Sequence, residues 1–306
     1  MRKEAARMTR AKRDNIYGTL FAASPIIGFF LFGLLPMLFS VFLSFGKLTT
    51  FDLGDMEFVG FENYARIFAE DDRFFKSIGN TFLYAIVSVL LSLVFSLFLA
   101  QLLAQEIHGK KVFRVILFIP YVCSAVAIST MWKWLLDYNF GVLNDLMTAF
   151  GAERVDWLNE KATAMPMMIF MSVWGGLGYN MILYTAALTS VNRSYYEAAE
   201  IDGASKARIF MSITVPLISP TTFFLLIMGF IGALQSFANF QIMTPYGGPD
   251  DSTLSMVLRV YNAAFVEDSM TYGMGYASAL GWIVGIIVMI FSAINFVFSK
   301  KWVQYG

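Results

Sequence analysis

Polar and charged residues in suggestive patterns cluster in two places. The first is 195–220, YYEAAEIDGASKARIFMSITVPLISP, where Glu197, Glu200 and Asp202 precede Gly203 and then Lys206 and Arg208. Ser194 is placed to cap a helix whose first turn carries Glu197, an acid set favourably against the helix dipole. Gly203 supplies a turn, and Ser205 to Ile213 reads as a second short helix ahead of Pro216 and Pro220. Ala198, Ala199, Gly203 and Ala204 are small enough to admit another backbone, while Ile201, Ile209, Phe210 and Ile213 offer apolar anchors. A helix lying on lipid favours Lys and Arg on its polar face. The acidic first half therefore points to a protein partner.

The second cluster is polar and aromatic. Trp174, Tyr179, Asn180 and Tyr184 occur in one apolar stretch, and Gln235, Ser236, Phe237, Asn239 and Gln241 in another. Hydrogen-bonding side chains beside aromatic faces suit a neutral, polar small solute. Gln235 and Asn239, four residues apart, would share a helix face. The competing use of such groups is to bond neighbouring helices. Gly175, Gly176 and Gly178 read as close helix packing or a local break rather than as a phosphate loop.

Other chemistry has no residues to carry it. A single cysteine, Cys123, precludes an internal disulfide, and with a single histidine, His108, no Cys/His metal centre is assigned. No nucleophile and base fall together, so no catalytic residue is assigned. There is no G-x-x-x-x-G-K-[ST] loop, so an ATPase site is not expected in this chain.

These residues must be positioned by membrane helices. Of 306 residues, 58% are hydrophobic and 14% charged, and 22 basic residues balance 22 acidic ones. The mean hydropathy is +0.62. A zero net charge gives no bulk attraction to nucleic acid. Six apolar stretches, 20–45, 82–104, 112–136, 165–190, 217–243 and 277–299, are each long enough to cross a bilayer as a helix. The first exceeds a signal-peptide core and reads as a retained anchor. Within the stretches, Arg114 and Lys133 lie near ends, where long side chains can snorkel, and Pro36 and Pro120 are placed to bend their helices. Connections holding Arg2, Lys3, Arg7, Arg10, Lys12, Arg13, Lys110, Lys111, Arg114, Arg193, Lys206, Arg208, Lys300 and Lys301 are twice as rich in Lys and Arg as the alternate set. Both termini are therefore expected in the cytoplasm. On the outer side, Phe61, Tyr64 and Phe68 have helical spacing.

The 191–216 loop resembles the EAA motif of permease subunits in binding-protein-dependent ABC importers. Glu197, Ala198, Ala199, Gly203 and the Val215 with Pro216 follow its spacing, and Asp202 and Ala204 match a variant common in sugar permeases. GFENYARIF from Gly60, SIGNTFLYA from Ser77, FIPYV from Phe118, MWKWLLDYNFGVLN from Met131, WLNEKATA from Trp157 and MTPYGGP from Met243 resemble the same carbohydrate-uptake group, from first span to last.

The resemblance implies an all-α membrane protein of the type I ABC importer fold, a single permease domain over 1–306, with six spans. It implies a coupling loop carrying Glu197, Ala198, Ala199, Asp202, Gly203, Ala204, Phe210 and Pro216 that sits in a cleft of a cytoplasmic ATP-binding subunit. It places Trp174, Gly175, Gly176 and Tyr179 at a midmembrane cavity, to which the residue types add Asn180, Gln235, Ser236, Phe237 and Asn239. The implied partners are a second, homologous permease, an ATPase dimer that binds ATP and Mg, and an extracytoplasmic solute-binding protein, in a bacterial or archaeal cell membrane. A sugar is the expected solute, with glycerol phosphate or another small solute as the alternative. A secondary transporter would carry ionisable groups inside its spans, and no acid lies in the interior of any of the six. An intramembrane enzyme would need a nucleophile with its base.

Overall fold

The computed structural model describes residues 2–48, 53–104, 108–268 and 272–304, with side chains placed except at 2–11, 13, 16 and 53. The chain forms two compact units, Met1–Ala69 with Ala263–Trp282, and Glu70–Asn262 with Ile283–Gly306.

The first unit opens with α1 (Arg2–Phe29), a π-helical turn over Phe30–Leu34, and α2 (Leu35–Ser44). Tyr17–Ser44 is one apolar helix of 28 residues, long enough to cross a membrane. Pro36 lacks an N–H and its ring crowds the carbonyl four residues earlier, so the wider turn just before it relieves both problems. Pro36, expected to bend its helix, follows this turn within one continuing span. Strands β1 (Gly46–Lys47) and β2 (Glu57–Phe58) pair antiparallel, with Gly46 opposite Phe58. The helix expected around Tyr64 is α3 (Glu62–Glu70). Its buried Asn63 donates to the Ser44 and Gly46 carbonyls at 2.9 and 3.0 Å, tying α3 to the end of α2.

The second unit contains α4 (Asp72–Ala104), α5 (Lys110–Val122), α6 (Ala125–Leu135), α7 (Val142–Ala149) and α8 (Lys161–Ser190). There follow α9 (Arg193–Ile201), α10 (Lys206–Ile209), α11 (Val215–Leu217), α12 (Ser219–Leu234), α13 (Ala238–Met243) and most of α14 (Met256–Phe265). The last helix, α15 (Gly273–Ser299), belongs to the first unit through Trp282 and to the second beyond it.

Helix α4 is the centre of the second unit, lying along α8 and α12 while α5 lies along α8. Its buried face includes Ser77, Thr81, Tyr84, Ser88, Ser92 and Ser96. Small hydroxyl residues allow close approach between membrane helices, and they bond carbonyls one turn back: Thr81 to Ser77 at 2.7 Å and Ser88 to Tyr84 at 2.6 Å. Glycines set two further contacts. A Cβ on Gly178 would overlap the Leu117 carbonyl of α5, and one on Gly229 would lie 3.0 Å from Val89 of α4. Close packing is thus what Gly178 permits.

Six spans were the expectation. Among the described residues, four helices are long and apolar enough to cross a membrane, Tyr17–Ser44, Asp72–Ala104, Lys161–Ser190 and Gly273–Ser299. Two further helix pairs qualify only when each bent pair is taken as one span. In the stretch 112–136 the chain turns by 101° between α5 and α6. The break falls at extended Cys123, three residues beyond Pro120. Lys206–Leu217 and Ser219–Leu234 meet at 65°. The stretch 217–243 is broken again, because α12 ends at Leu234 and α13 starts at Ala238. Gln235 and Asn239 therefore do not share a helix face, which corrects the four-residue argument. Hydropathy reports only how apolar a stretch is, whereas breaks arise where neighbouring side chains satisfy the released backbone groups.

Candidate functional site

A cavity of about 420 Å³ lies inside the second unit, bounded by α4, α5, α8, α12 and the break leading to α13. Tyr84, Ser88 and Ser92 face it from α4, Tyr121 from α5, and Ser172, Gly176, Tyr179 and Asn180 from α8. Helix α12 adds Leu225, Met228, Gly229 and Gly232, and the break adds Ser236, followed by Asn239. None of the lining residues is charged.

The polar groups are held in place. Asn180 donates its amide to Ser92 Oγ at 3.0 Å, and Ser129 donates its hydroxyl to Asn239 Oδ1 at 3.0 Å. Tyr84 lines the cavity together with Ser172, Ser236 and Asn239, and its ring meets Phe240 edge-on at 4.9 Å. Tyr121 and Tyr179 stack with centroids 4.5 Å apart and planes 13° apart. The absent side chain of Gly176 leaves room beside the Ser92 hydroxyl, which a Cβ would approach to 3.0 Å. Flat aromatic surface beside paired donors and acceptors can bind a hydroxyl-rich solute without charge.

Of the residues expected along a solute path, the structure brings Gly176, Tyr179, Asn180, Ser236 and Asn239 to this cavity. Trp174 instead packs edge-to-face on Trp132 at 5.4 Å, and Phe237 lies against Tyr261 at 5.0 Å. Gly175 is off the lining and Gln235 is exposed. Sequence reasoning missed Tyr84, Ser88, Ser92, Tyr121 and Ser172. A signal existed for the first three, since Tyr84, Ser88, Ser92 and Ser96 recur every four residues in an otherwise apolar stretch. Tyr121 reaches the cavity through the α5–α8 contact, which has no local signature. The two snorkelling candidates bond carbonyls: Arg114 to Leu103 at 3.3 Å and Lys133 to Ile242 at 3.1 Å.

The acidic segment folds as two helical pieces with two corrections. Its N-cap is Asn192, whose Oδ1 accepts from Ser194 N at 3.0 Å, not Ser194. Glu197 therefore lies beyond the first turn, where it pairs with Arg193 at 3.1 Å on an exposed face. Helix α9 closes with Gly203 at φ +73, as Gly203 N donates to the Glu200 carbonyl and Ala204 N to the Ala199 carbonyl, both at 3.0 Å. This is the glycine-terminated helix end in which a left-handed residue lets two last-turn carbonyls be satisfied. Asp202 is the last residue before that turn, and its N–H reaches the Ala198 carbonyl at 3.1 Å. Ser205 then caps α10 by accepting from Arg208 N at 3.4 Å.

The second piece does not stop at Ile213. Phe210 opens a π-helical turn, Phe210–Thr214, that leads into Pro216 as Phe30–Leu34 leads into Pro36. The Tyr196 hydroxyl lies 3.3 Å from Thr214 Oγ1, joining α9 to this turn. Ile209 is buried, whereas Ile201 and Met211 are 86% and 67% exposed. The segment thus offers an apolar surface next to exposed carboxylates.

Residues 93–304 match the family model described as the binding-protein-dependent transport system inner membrane component. The diacetylchitobiose uptake system permease protein NgcF of Streptomyces coelicolor is 35% identical over 314 residues, covering 97% of this chain and 87% of the relative. The lactose transport system permease protein LacF of Rhizobium radiobacter is 32% identical over 291 residues, covering 94% and 95%. In fold, a chain from a bacterial ABC transporter involved in the import of the acidic polysaccharide alginate superposes with a TM-score of 0.80 at 22% identity, over 98% of this chain and 100% of that one. The family match spans most of the chain, and the helices above are those of a multi-pass membrane protein. The chain belongs to the inner membrane components of binding-protein-dependent transport systems, as an ABC-importer permease subunit.

Proposed function

We propose that this chain forms half of the translocation path of an ATP-driven importer and moves a neutral sugar, an oligosaccharide in the first instance, handed over by an extracytoplasmic binding protein. The observation that carries this reading is the uncharged cavity, with its stacked Tyr121 and Tyr179 beside Asn180, Ser236 and Asn239. A phosphate ester would call for Arg or Lys at the path, and the lining offers neither. The relatives named for diacetylchitobiose and lactose support a sugar.

In this reading each bent pair is one span, giving six, with both termini in the cytoplasm. The excess of Lys and Arg in the connections of that side supports this orientation. A second, different permease completes the path. An ATPase dimer, which binds ATP and Mg, receives the 191–216 loop through Glu197, Ala198, Ala199, Asp202, Gly203, Ala204, Phe210 and Pro216. The exposure of Glu197, Ile201 and Met211 supports that docking.

The test is co-expression with candidate partner subunits, reconstitution, and ATPase and uptake assays with binding protein over a sugar panel. ATP turnover that rises with one sugar, and uptake that falls in Tyr179→Ala and Asn239→Ala, are the expected results. Uptake in ATP-free liposomes by this chain alone would overturn the reading.

A further inference from the structure

The break between α12 and α13 is held from outside the cavity. Ser255, 1% exposed, lies just before α14. Its hydroxyl donates to the Ser236 carbonyl at 3.0 Å and accepts from Leu258 N at 3.2 Å. A helix interrupted inside a membrane protein leaves carbonyls that need donors, and the first N–H groups of a helix need acceptors. One hydroxyl answers both needs. It ties the start of α14 to the residue at which the cavity wall turns.

Helix α14 has braces of its own. Met256 N donates to Thr81 Oγ1 of α4 at 2.9 Å. Arg259 pairs with Asp71 at 2.9 Å, next to the start of α4, with both side chains almost fully buried. Asn262 donates to the Tyr246 carbonyl at 3.3 Å. Loss of the Ser255 hydroxyl would therefore remove the donor to the break and one acceptor in the first turn of α14, while these other braces keep α14 anchored. On the cavity side of that break, Ser236 and Asn239 line the wall with Tyr84, so a shift of the backbone at Ser236 displaces Ser236 and Asn239 relative to Tyr84.

We infer that Ser255 is a positioning residue for the cavity, fixing through the Ser236 carbonyl the arrangement of Ser236, Asn239 and Tyr84 on which solute passage depends. It touches no solute itself. This rests on the reading of the cavity as the solute path.

The test uses the reconstituted complete importer, reading sugar moved per ATP hydrolysed and the preference between two sugars that differ at one hydroxyl. For S255A, stimulated ATP turnover is expected to stay within about twofold of the parent, while sugar per ATP falls about fivefold, the size of one lost hydrogen bond. S255T, which keeps the hydroxyl, is expected to restore it. Should S255A fail to assemble, S255C, a poorer donor of similar size, replaces it and has to show an intermediate loss. Parental sugar per ATP and preference in the Ser255 variants, with Asn239→Ala impaired, would overturn the inference alone. Equal loss of ATP turnover and uptake in S255A, unrelieved by S255T, would overturn it as general damage. Unchanged transport in Asn239→Ala as well would remove the cavity reading and this inference with it.

Discussion

Arg259 and Asp71, 188 residues apart in sequence, form an ion pair with side-chain exposures of 0% and 3%, in which Arg259 Nη2 lies 2.9 Å from Asp71 Oδ2. Arg259 Nε also donates to that oxygen at 3.1 Å, while Asp71 Oδ1 accepts from Phe74 N at 2.9 Å at the start of α4. One carboxylate thus caps the central helix and holds α14 against it. Removing either partner strands a buried charge, which costs about 3–5 kcal/mol. Asp71→Ala is expected to lower the thermal midpoint of the purified complex sharply. The double replacement Asp71→Leu with Arg259→Met is expected to recover much of the loss, and a double variant no better than the single would count against this account.

Gly178 and Gly175 separate packing from composition. A Cβ at 178 overlaps the Leu117 carbonyl, whereas one at 175 meets nothing within 4 Å. Gly178→Ala is expected to push α5 from α8 at a cost of about 1–3 kcal/mol and to disturb the Tyr121–Tyr179 stack. Gly175→Ala is expected to stay within about 0.5 kcal/mol of the parent. Denaturation midpoints and uptake rates of the two variants check this contrast.

The turn at Gly203 makes a third case. With φ at +73, any L-residue there is strained by roughly 1–2 kcal/mol, and the closure onto Ala199 and Glu200 weakens. Gly203→Val is expected to leave the complex assembled but to uncouple it, with ATP turnover less stimulated by loaded binding protein. Stimulation equal to the parent would sink this prediction.

Asp250 gives a pH dependence whose sign is set. A hydrogen bond from Lys161, then the charges of Lys161 and Lys76, hold its carboxyl below the ordinary value of 3.8. The folded state therefore favours the ionised form. That contribution is fully present above the ordinary value and is lost as pH falls through the lowered one. Because the group is exposed, the effect is small and screened by salt. In low salt, Lys161→Met is expected to flatten the dependence of the thermal midpoint on pH below about 4. A slope equal to the parent's would contradict this.

The same segment shows what packing decided. Tyr246, Asp250 and Asp251 all have positive φ, a region that side-chain-bearing residues rarely occupy. Arg73 holds Asp251 at 2.7 Å, Asn80 donates to the Asp251 carbonyl at 2.7 Å, Lys161 reaches Asp250 at 2.7 Å, and Lys76 bonds the Asp250 carbonyl. In the one-dimensional pattern these residues are an ordinary turn. The strain persists because distant side chains determine it.

The membrane class, the apolar stretches and the two-piece acidic segment with its glycine turn are legible in the linear chain. Those follow from local composition and from one residue's freedom at positive φ, which neighbours in sequence carry in full. Where the apolar stretches break, and which polar side chains share a cavity, came instead from packing between helices distant in sequence. Gln235 and Asn239 are close in sequence yet fall on either side of a break held by Ser255, nineteen residues beyond Ser236. Trp174 and Tyr179 sit on one helix, but Trp132 takes the first while Tyr121 stacks on the second. A side chain's partner across a helix interface depends on how close two backbones come, and here that distance was set by glycines and serines whose local sequence names no partner.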